Sequence, residues 1–140
     1  MEKISVLPSK LRGSVRVPPS KSHSLRAILF AALARGKSHI KNVLTSPDVS
    51  AMIEACRQFG ACIQSIAEGE LTIKGVAGKL SIKPGSCIES GNSGQVLRYM
   101  TAIMATQSHE VTVTGDESIC SNRPISPYLC LLYTSPSPRD

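Results

Sequence analysis

The chain holds no tryptophan and only five other aromatic residues, Phe30, Phe59, Tyr99, Tyr128 and Tyr133. Single-stranded nucleic acid is gripped by stacking bases on aromatic rings set among basic residues, so that class of binder is disfavoured. Long apolar runs are missing too. The longest, Ala27 to Ala34, falls far short of the roughly 18 residues that mark a membrane-spanning helix. The first residues, MEKISVLPSK, lack the basic-then-apolar order of a secretory signal. Five cysteines (Cys56, Cys62, Cys87, Cys120 and Cys130) form no CxxC pair and the three histidines are scattered. The expectation is reduced thiols packed as core filler in a cytosol, with neither a disulfide framework nor a metal site. Neither GxxxxGK[ST] nor GxGxxG is present, which removes the usual nucleotide fingerprints.

What is present is a domain-sized chain of 140 residues, 41% hydrophobic, with sixteen basic against ten acidic residues and a net charge of +6. That balance suits small anionic substrates, an anionic surface or nucleic acid.

Ser14 to Val17 alternates as a short strand, ended by Pro18 and Pro19, which have no N–H for a ladder. A helix begins near Ser20 to Ser22, with Leu25, Ile28, Leu29, Ala32 and Leu33 on one face and Gly36 as its stop. Ser38 to Val43 reads as a strand. Ser46 or Asp48 caps a second helix carrying Val49, Met52, Ile53, Cys56 and Phe59 on one face, and Gly60 stops it. Ala61 to Ile66 and Glu70 to Lys74 form a hairpin through Glu68 and Gly69. The order is strand, helix, strand, helix, strand, strand. It then starts again: Ser14, Leu25, Arg26 and Ala32 map onto Ser86, Leu97, Arg98 and Met104, each 72 residues later. The second copy has a strand at Cys87 to Ser90, a GNSG turn, a helix through Met104 and a strand at Glu110 to Thr114, and its next helix is expected to open around Arg123 and Pro124. A further amphipathic helix starts in PISPYLCLL and is broken by Pro136 and Pro138.

Helix starts expose unpaired N–H groups and a partial positive charge, so they bind anions. Three starts carry added cations: Lys21, Ser22 and Arg26 on the first, the glycine turn Gly91-Asn92-Ser93-Gly94 followed by Arg98 on the second, and Arg123 before the third. Lysine in a first turn opposes the helix dipole at a cost of roughly 0.3 to 1 kcal/mol, which favours a ligand as the reason for Lys21. Plainer readings stand beside these. Asp48 serves as an N-cap, His23 as an exposed helix residue, GNSG as an ordinary tight turn, and Arg26 and Arg98 as solvated charges.

VPPSKSHSLRAILFAALARG resembles the PGSKSxSxR segment of the EPSP synthases, the 3-phosphoshikimate 1-carboxyvinyltransferase family. TSPDVSAMIEACRQFGA, SGNSGQVLRYMTAI and TGDESICSNRPI are similar to that family's second helix, its GNAGT-x-x-R turn and its strand-to-RPI segment, in the same order. The resemblance implies an α/β protein of repeated βαβαββ units, with residues 1–132 a partial N-terminal enolpyruvyl transferase domain and residues 133–140 a foreign or disordered tail. It implies transfer of the enolpyruvyl group of phosphoenolpyruvate to shikimate 3-phosphate, in the cytosol. No cofactor, metal, nucleic acid or membrane takes part, and the full-length protein works as a monomer. Carried over by position, Lys21 pairs with phosphoenolpyruvate between the two substrates, Ser22 and Arg26 hold shikimate 3-phosphate, Gly94 offers its backbone to phosphoenolpyruvate, and Arg123 clamps its phosphate. Asp48, Asn92 and Arg98 support them. The acid and base groups belong to the family's second domain, so this stretch alone is expected to be inactive. Pro19, Leu25, Gln95 and Tyr99 depart from the family pattern, the last two on the helix that positions Gly94. Two alternatives remain: the sister transferase acting on UDP-N-acetylglucosamine, which has lysine-asparagine where this chain has Lys21-Ser22, and a non-catalytic anion- or nucleic-acid-binding module.

Overall fold

Ser20 ends the extended Pro18-Pro19 segment and caps helix α1 (Lys21–Leu33), its hydroxyl accepting from the His23 N–H. The computed structural model describes residues 3–10 and 12–134. After α1 come β1 (Lys37–Ile40), α2 (Pro47–Gln58), β2 (Cys62–Ala67), β3 (Glu70–Lys74), β4 (Cys87–Glu89), α3 (Gly94–Met104), β5 (Thr112–Thr114), α4 (Glu117–Asn122) and α5 (Ser126–Thr134). The mixture of helices with small sheets is the expected α/β class.

The first unit is built on a three-stranded antiparallel sheet in the order β1-β3-β2. Its period-two pattern sends Leu71, Ile73 and Ile63 inward, where α1 and α2 cover them. Leu25, Ile28, Ala32, Met52, Cys56 and Phe59 are fully buried in the same cluster, as the helical spacing predicts. The second unit pairs β4 with β5 in parallel, and α3 makes the crossover. Val96 and Met100 on α3 are fully buried in that cluster too, so both copies share one core.

α1 ends against the turn that follows β3. The N–H groups of Val76, Gly78 and Ala77 donate to the carbonyls of Ala32, Leu33 and Ala34 at 2.9 to 3.0 Å, satisfying acceptors that a helix end leaves open. Gly75 makes this approach feasible. A methyl group there would lie 2.2 Å from Ala34 O and 2.4 Å from Ala31 O, both rigid backbone atoms.

Several expectations are corrected. Ser14 to Val17 forms no strand, and Val15 and Val17 are exposed. Two exposed valines before two prolines bury too little to offset backbone ordering, which costs roughly 1 to 2 kcal/mol per residue. Ser46, not Asp48, caps α2, and Asp48 sits in its first turn. The helix expected to open at Arg123-Pro124 is preceded by α4, capped by Asp116, and the next helix begins only at Ser126. Arg123 is therefore the C-cap of α4. Only Cys56 is core filler: Cys62, Cys87, Cys120 and Cys130 are exposed, because strand alternation and the solvent faces of the short helices turn them outward. α5 runs through Tyr133 and Thr134, two residues past Leu132, while residues 135–140 of the expected tail lie outside the described residues. None of its residues is buried. Beneath it lies a hollow of about 540 Å³ lined by Leu97, Met104, Val113, Ile125, Leu129 and Leu132.

Two outcomes are expected. Gly75→Ala should lower stability by about 1 to 3 kcal/mol, read as a drop in the urea midpoint at unchanged slope; an unshifted midpoint would show that the turn does not press on α1. Burial pushes the Cys56 thiol up to about 12. A disulfide reagent at pH 8 should consequently titrate four thiols quickly in the native chain and the fifth only on unfolding.

Candidate anion-binding face

Four of the five helices among the described residues carry an N-cap side chain that closes one amide: Ser20, Ser46, Ser93 and Asp116 for α1 to α4. Their first turns differ in charge. α2 has Asp48 there and α4 has Glu117, whereas α1 and α3 have no acidic residue. The positive starts of α1 and α3 are thus left without a carboxylate of their own. The amides of Lys21 and Ser22 on α1, and of Gly94 and Gln95 on α3, have no hydrogen-bond partner among the described residues.

These two starts meet. Gln95 Nε2 lies 3.2 Å from Ser22 Oγ, joining the first turns of helices 73 residues apart in sequence. On the other side Lys21 Nζ lies 3.4 Å from Asp48 Oδ1, which ties the start of α2 to the same spot. That pair is partly exposed and contributes little to stability. Its consequence is electrostatic: Asp48 is the carboxylate that faces Lys21.

Buried hydroxyls set the helix starts. Ser24 accepts from Leu44 N–H at 3.0 Å and donates to Ser20 O at 2.9 Å, so the loop leading into α2 is pinned to the first turn of α1. Ser90 donates from both N–H and Oγ to Thr114 O, and Ser93 N–H donates to Ser90 O, fixing the GNSG turn to the end of β5. Gly91 takes a left-handed φ of 56°, and its carbonyl accepts from Asp116 N–H at 3.0 Å. Gly115 must be a glycine, since a Cβ there would stand 2.6 Å from Gly91 O. The two glycine turns pressed together carry α4, and with it Arg123, to the start of α3. A methyl group on Gly94 would lie 3.2 Å from Arg98 Nη1 and 3.9 Å from Arg123 Cδ.

Of the residues singled out from the sequence, Lys21, Ser22, Gly94, Arg98, Arg123 and Asp48 are connected through these contacts. Arg26 follows one turn behind Ser22, half-buried, with no hydrogen-bond or ion-pair partner among the described residues. Asn92 is exposed on the turn, and so is His23 on α1. Arg98 Nη1 donates back to Gly94 O at 3.1 Å, which holds its guanidinium over the helix start. Sequence reasoning missed Gln95 as a contact and Ser24, Ser90 and Ser93 as the buried fasteners; the signal available for Ser24 was a hydroxyl one turn after a serine cap. The face is open. Hollows of about 540 and 710 Å³ lie elsewhere and are not lined by Lys21, Ser22, Gly94 or Arg98. Among the described residues no group of histidine, cysteine or carboxylate side chains could hold a metal ion, and no helix is long and apolar enough to cross a membrane.

Residues 7–134 match the family model for EPSP synthase (3-phosphoshikimate 1-carboxyvinyltransferase). The chain is 49% identical over 124 residues to the 3-phosphoshikimate 1-carboxyvinyltransferase of Chlamydia felis and 47% identical over 125 residues to that of Chlamydia pneumoniae. Each alignment takes in 89% of this chain and 27% of the relative, so the chain spans about a quarter of the length of these relatives. The structure of EPSP synthase from Acinetobacter baumannii superimposes with a TM-score of 0.78 at 35% identity, over 86% of this chain and 27% of that one. With a family match across most of the chain and a shared α/β fold of repeated units, the chain belongs to the EPSP synthase family.

Proposed function

We propose that this chain forms part of the substrate cleft of an enzyme that transfers the enolpyruvyl group of phosphoenolpyruvate to the 5-hydroxyl of shikimate 3-phosphate, giving 5-enolpyruvylshikimate 3-phosphate and phosphate. The observation that carries the reading is the meeting of two acid-free helix starts, with Lys21, Ser22, Gly94, Arg98 and Arg123 around them. Both substrates are polyanions and repel one another. Fixed amides and cations offset that repulsion before the reacting atoms come into range, and because they are already in place they need no reorganisation during reaction.

In this reading Lys21 lies between the two substrates and exchanges Asp48 for the phosphoenolpyruvate anion. Ser22 donates to shikimate 3-phosphate and Arg26 pairs with it. Gly94, lacking a side chain, lets phosphoenolpyruvate reach the free amides of α3, and Arg123 takes its phosphate. Arg98 and Asn92 hold the turn, and Arg98 adds positive potential. The chemistry also needs a group to protonate the methylene carbon of phosphoenolpyruvate and one to accept the hydroxyl proton. We assign those to parts of the family's longer protein, which is also the level at which a cytosolic monomer without metal, nucleic acid or membrane is the expected working form.

The test is binding followed by turnover. Shikimate 3-phosphate added to the 15N-labelled chain should shift the amide resonances of Lys21 and Ser22, and phosphoenolpyruvate those of Gly94 and Gln95, while Arg26→Met should weaken shikimate 3-phosphate binding by about 10- to 100-fold, as loss of a charge-assisted hydrogen bond does. Amides that stay put would overturn the reading. In a phosphate-release assay with both substrates the 140-residue chain should show no turnover, and ordinary enzyme rates would overturn the assignment of acid and base to other parts.

A further inference from the structure

Ser22 has one proton to give. In the reading above that proton goes to shikimate 3-phosphate, yet Ser22 is already in contact with Gln95 across the gap between α1 and α3. The direction of that contact decides whether the hydroxyl is available. If Ser22 donated to Gln95 Oε1, 3.5 Å away, its proton would be spent inside the protein and only lone pairs would face an anion. The closer approach is Gln95 Nε2 to Ser22 Oγ at 3.2 Å, with the amide as donor. That direction leaves the proton free, and a hydroxyl that accepts one hydrogen bond becomes a better donor of the next.

We propose that Gln95 is a positioning residue of the anion-binding face: its carboxamide donates to Ser22 Oγ and turns the hydroxyl proton outward to a phosphate or carboxylate oxygen of the ligand. Three observations support this beyond the distances. Gln95 stands in the first turn of α3, directly after Gly94, so its side chain starts from the face itself. Both residues are half-buried, which strengthens the contact relative to one in bulk water. Finally, the surroundings are cationic, with Lys21 preceding Ser22 and with Arg98 and Arg123 beside Gly94, so a neutral donor fills the gap without adding negative charge where an anion must sit.

The inference rests on the anion-binding role of Ser22, and the experiment separates the two. Shikimate 3-phosphate is titrated by calorimetry into the unsubstituted chain, Ser22→Ala, Gln95→Leu and the double variant, with a thermal melt of each to show that it folds. Gln95→Leu should weaken binding by about 3- to 10-fold, as loss of a neutral hydrogen bond does. In the Ser22→Ala background the same change should alter affinity by less than about 2-fold, because the group it orients is gone. Gln95→Glu can only accept and brings a negative charge, so it should weaken binding more than Gln95→Leu. Tight binding by Gln95→Leu, or an equal loss in both backgrounds, overturns the role of Gln95 and leaves the anion site standing. Absence of binding by the unsubstituted chain overturns both.

Discussion

Two positive helix starts held close enough for side chains of their first turns to hydrogen-bond are an electrostatic liability, and this liability organises the structure. Each start carries a fraction of a positive charge in its free amides, and neither helix has an acidic residue in its own first turn, the carboxylate facing Lys21 being Asp48 of α2. Nothing local to either helix favours the encounter. What enforces it is burial: Leu25 and Ile28 of α1, Met52 and Cys56 of α2, and Val96 and Met100 of α3 lie fully buried in one cluster. Burying a large apolar side chain is worth roughly 1.5 to 3 kcal/mol, so a few of these outweigh the repulsion of two partial charges. The core stores, in the placement of helix ends, a positive potential.

The fasteners show how that placement is made exact without charged groups. Ser24, Ser90 and Ser93 are almost fully buried and bond to backbone groups of the Leu44 loop, the end of β5 and the first turn of α3 respectively. A hydroxyl is small enough to enter the core and satisfies its own polarity there, whereas an ion pair in the same place would carry a desolvation penalty. At the far end of α1, Gly75 brings the chain against the last carbonyls of the helix, and the N–H groups that follow close them. α1 is thus satisfied at its C-terminus by backbone and left open at its N-terminus.

Much of this was legible in the sequence, wherever the signal was periodic. α1, α2, α3 and the β2-β3 hairpin were readable because their apolar spacing is enforced by the shared core, and the 72-residue offset aligned Arg26 with Arg98 and α1 with α3. Expectations failed where only tertiary contact decides. The stretch Ser14 to Val17 has the alternation of a strand but no neighbour to pair with among the described residues. The choice of Ser46 over Asp48 as a cap depends on how the chain turns out of the loop that Ser24 holds. The extra helix α4 is six residues long, too short for periodicity to announce it, and it moved Arg123 from the front of one helix to the back of another. At the face itself, Lys21, Ser22, Gly94 and Arg123 were visible as chemistry at helix ends. Gln95 was visible only as a departure from a pattern, because reaching Ser22 is a property of the fold.

The two units differ in a way that bears on how such a face is completed. In the first, the hairpin β2-β3 pairs with β1 and covers α1 and α2, so its apolar faces are closed. In the second, β4 and β5 pair only with each other among the described residues, and α5 rests on a hollow with Leu131 and Tyr133 turned to solvent. The candidate anion-binding face nevertheless sits on the seam between the units, made from the start of α1 in one and of α3 in the other. Its geometry is therefore fixed by the portion of core the units already share, and it does not depend on whether the second unit's outer face is covered. A binding surface built on the best-buried helices of each repeat can keep its shape while the periphery varies, which is the arrangement a cleft needs if one of its walls is to be supplied by other parts of a longer protein.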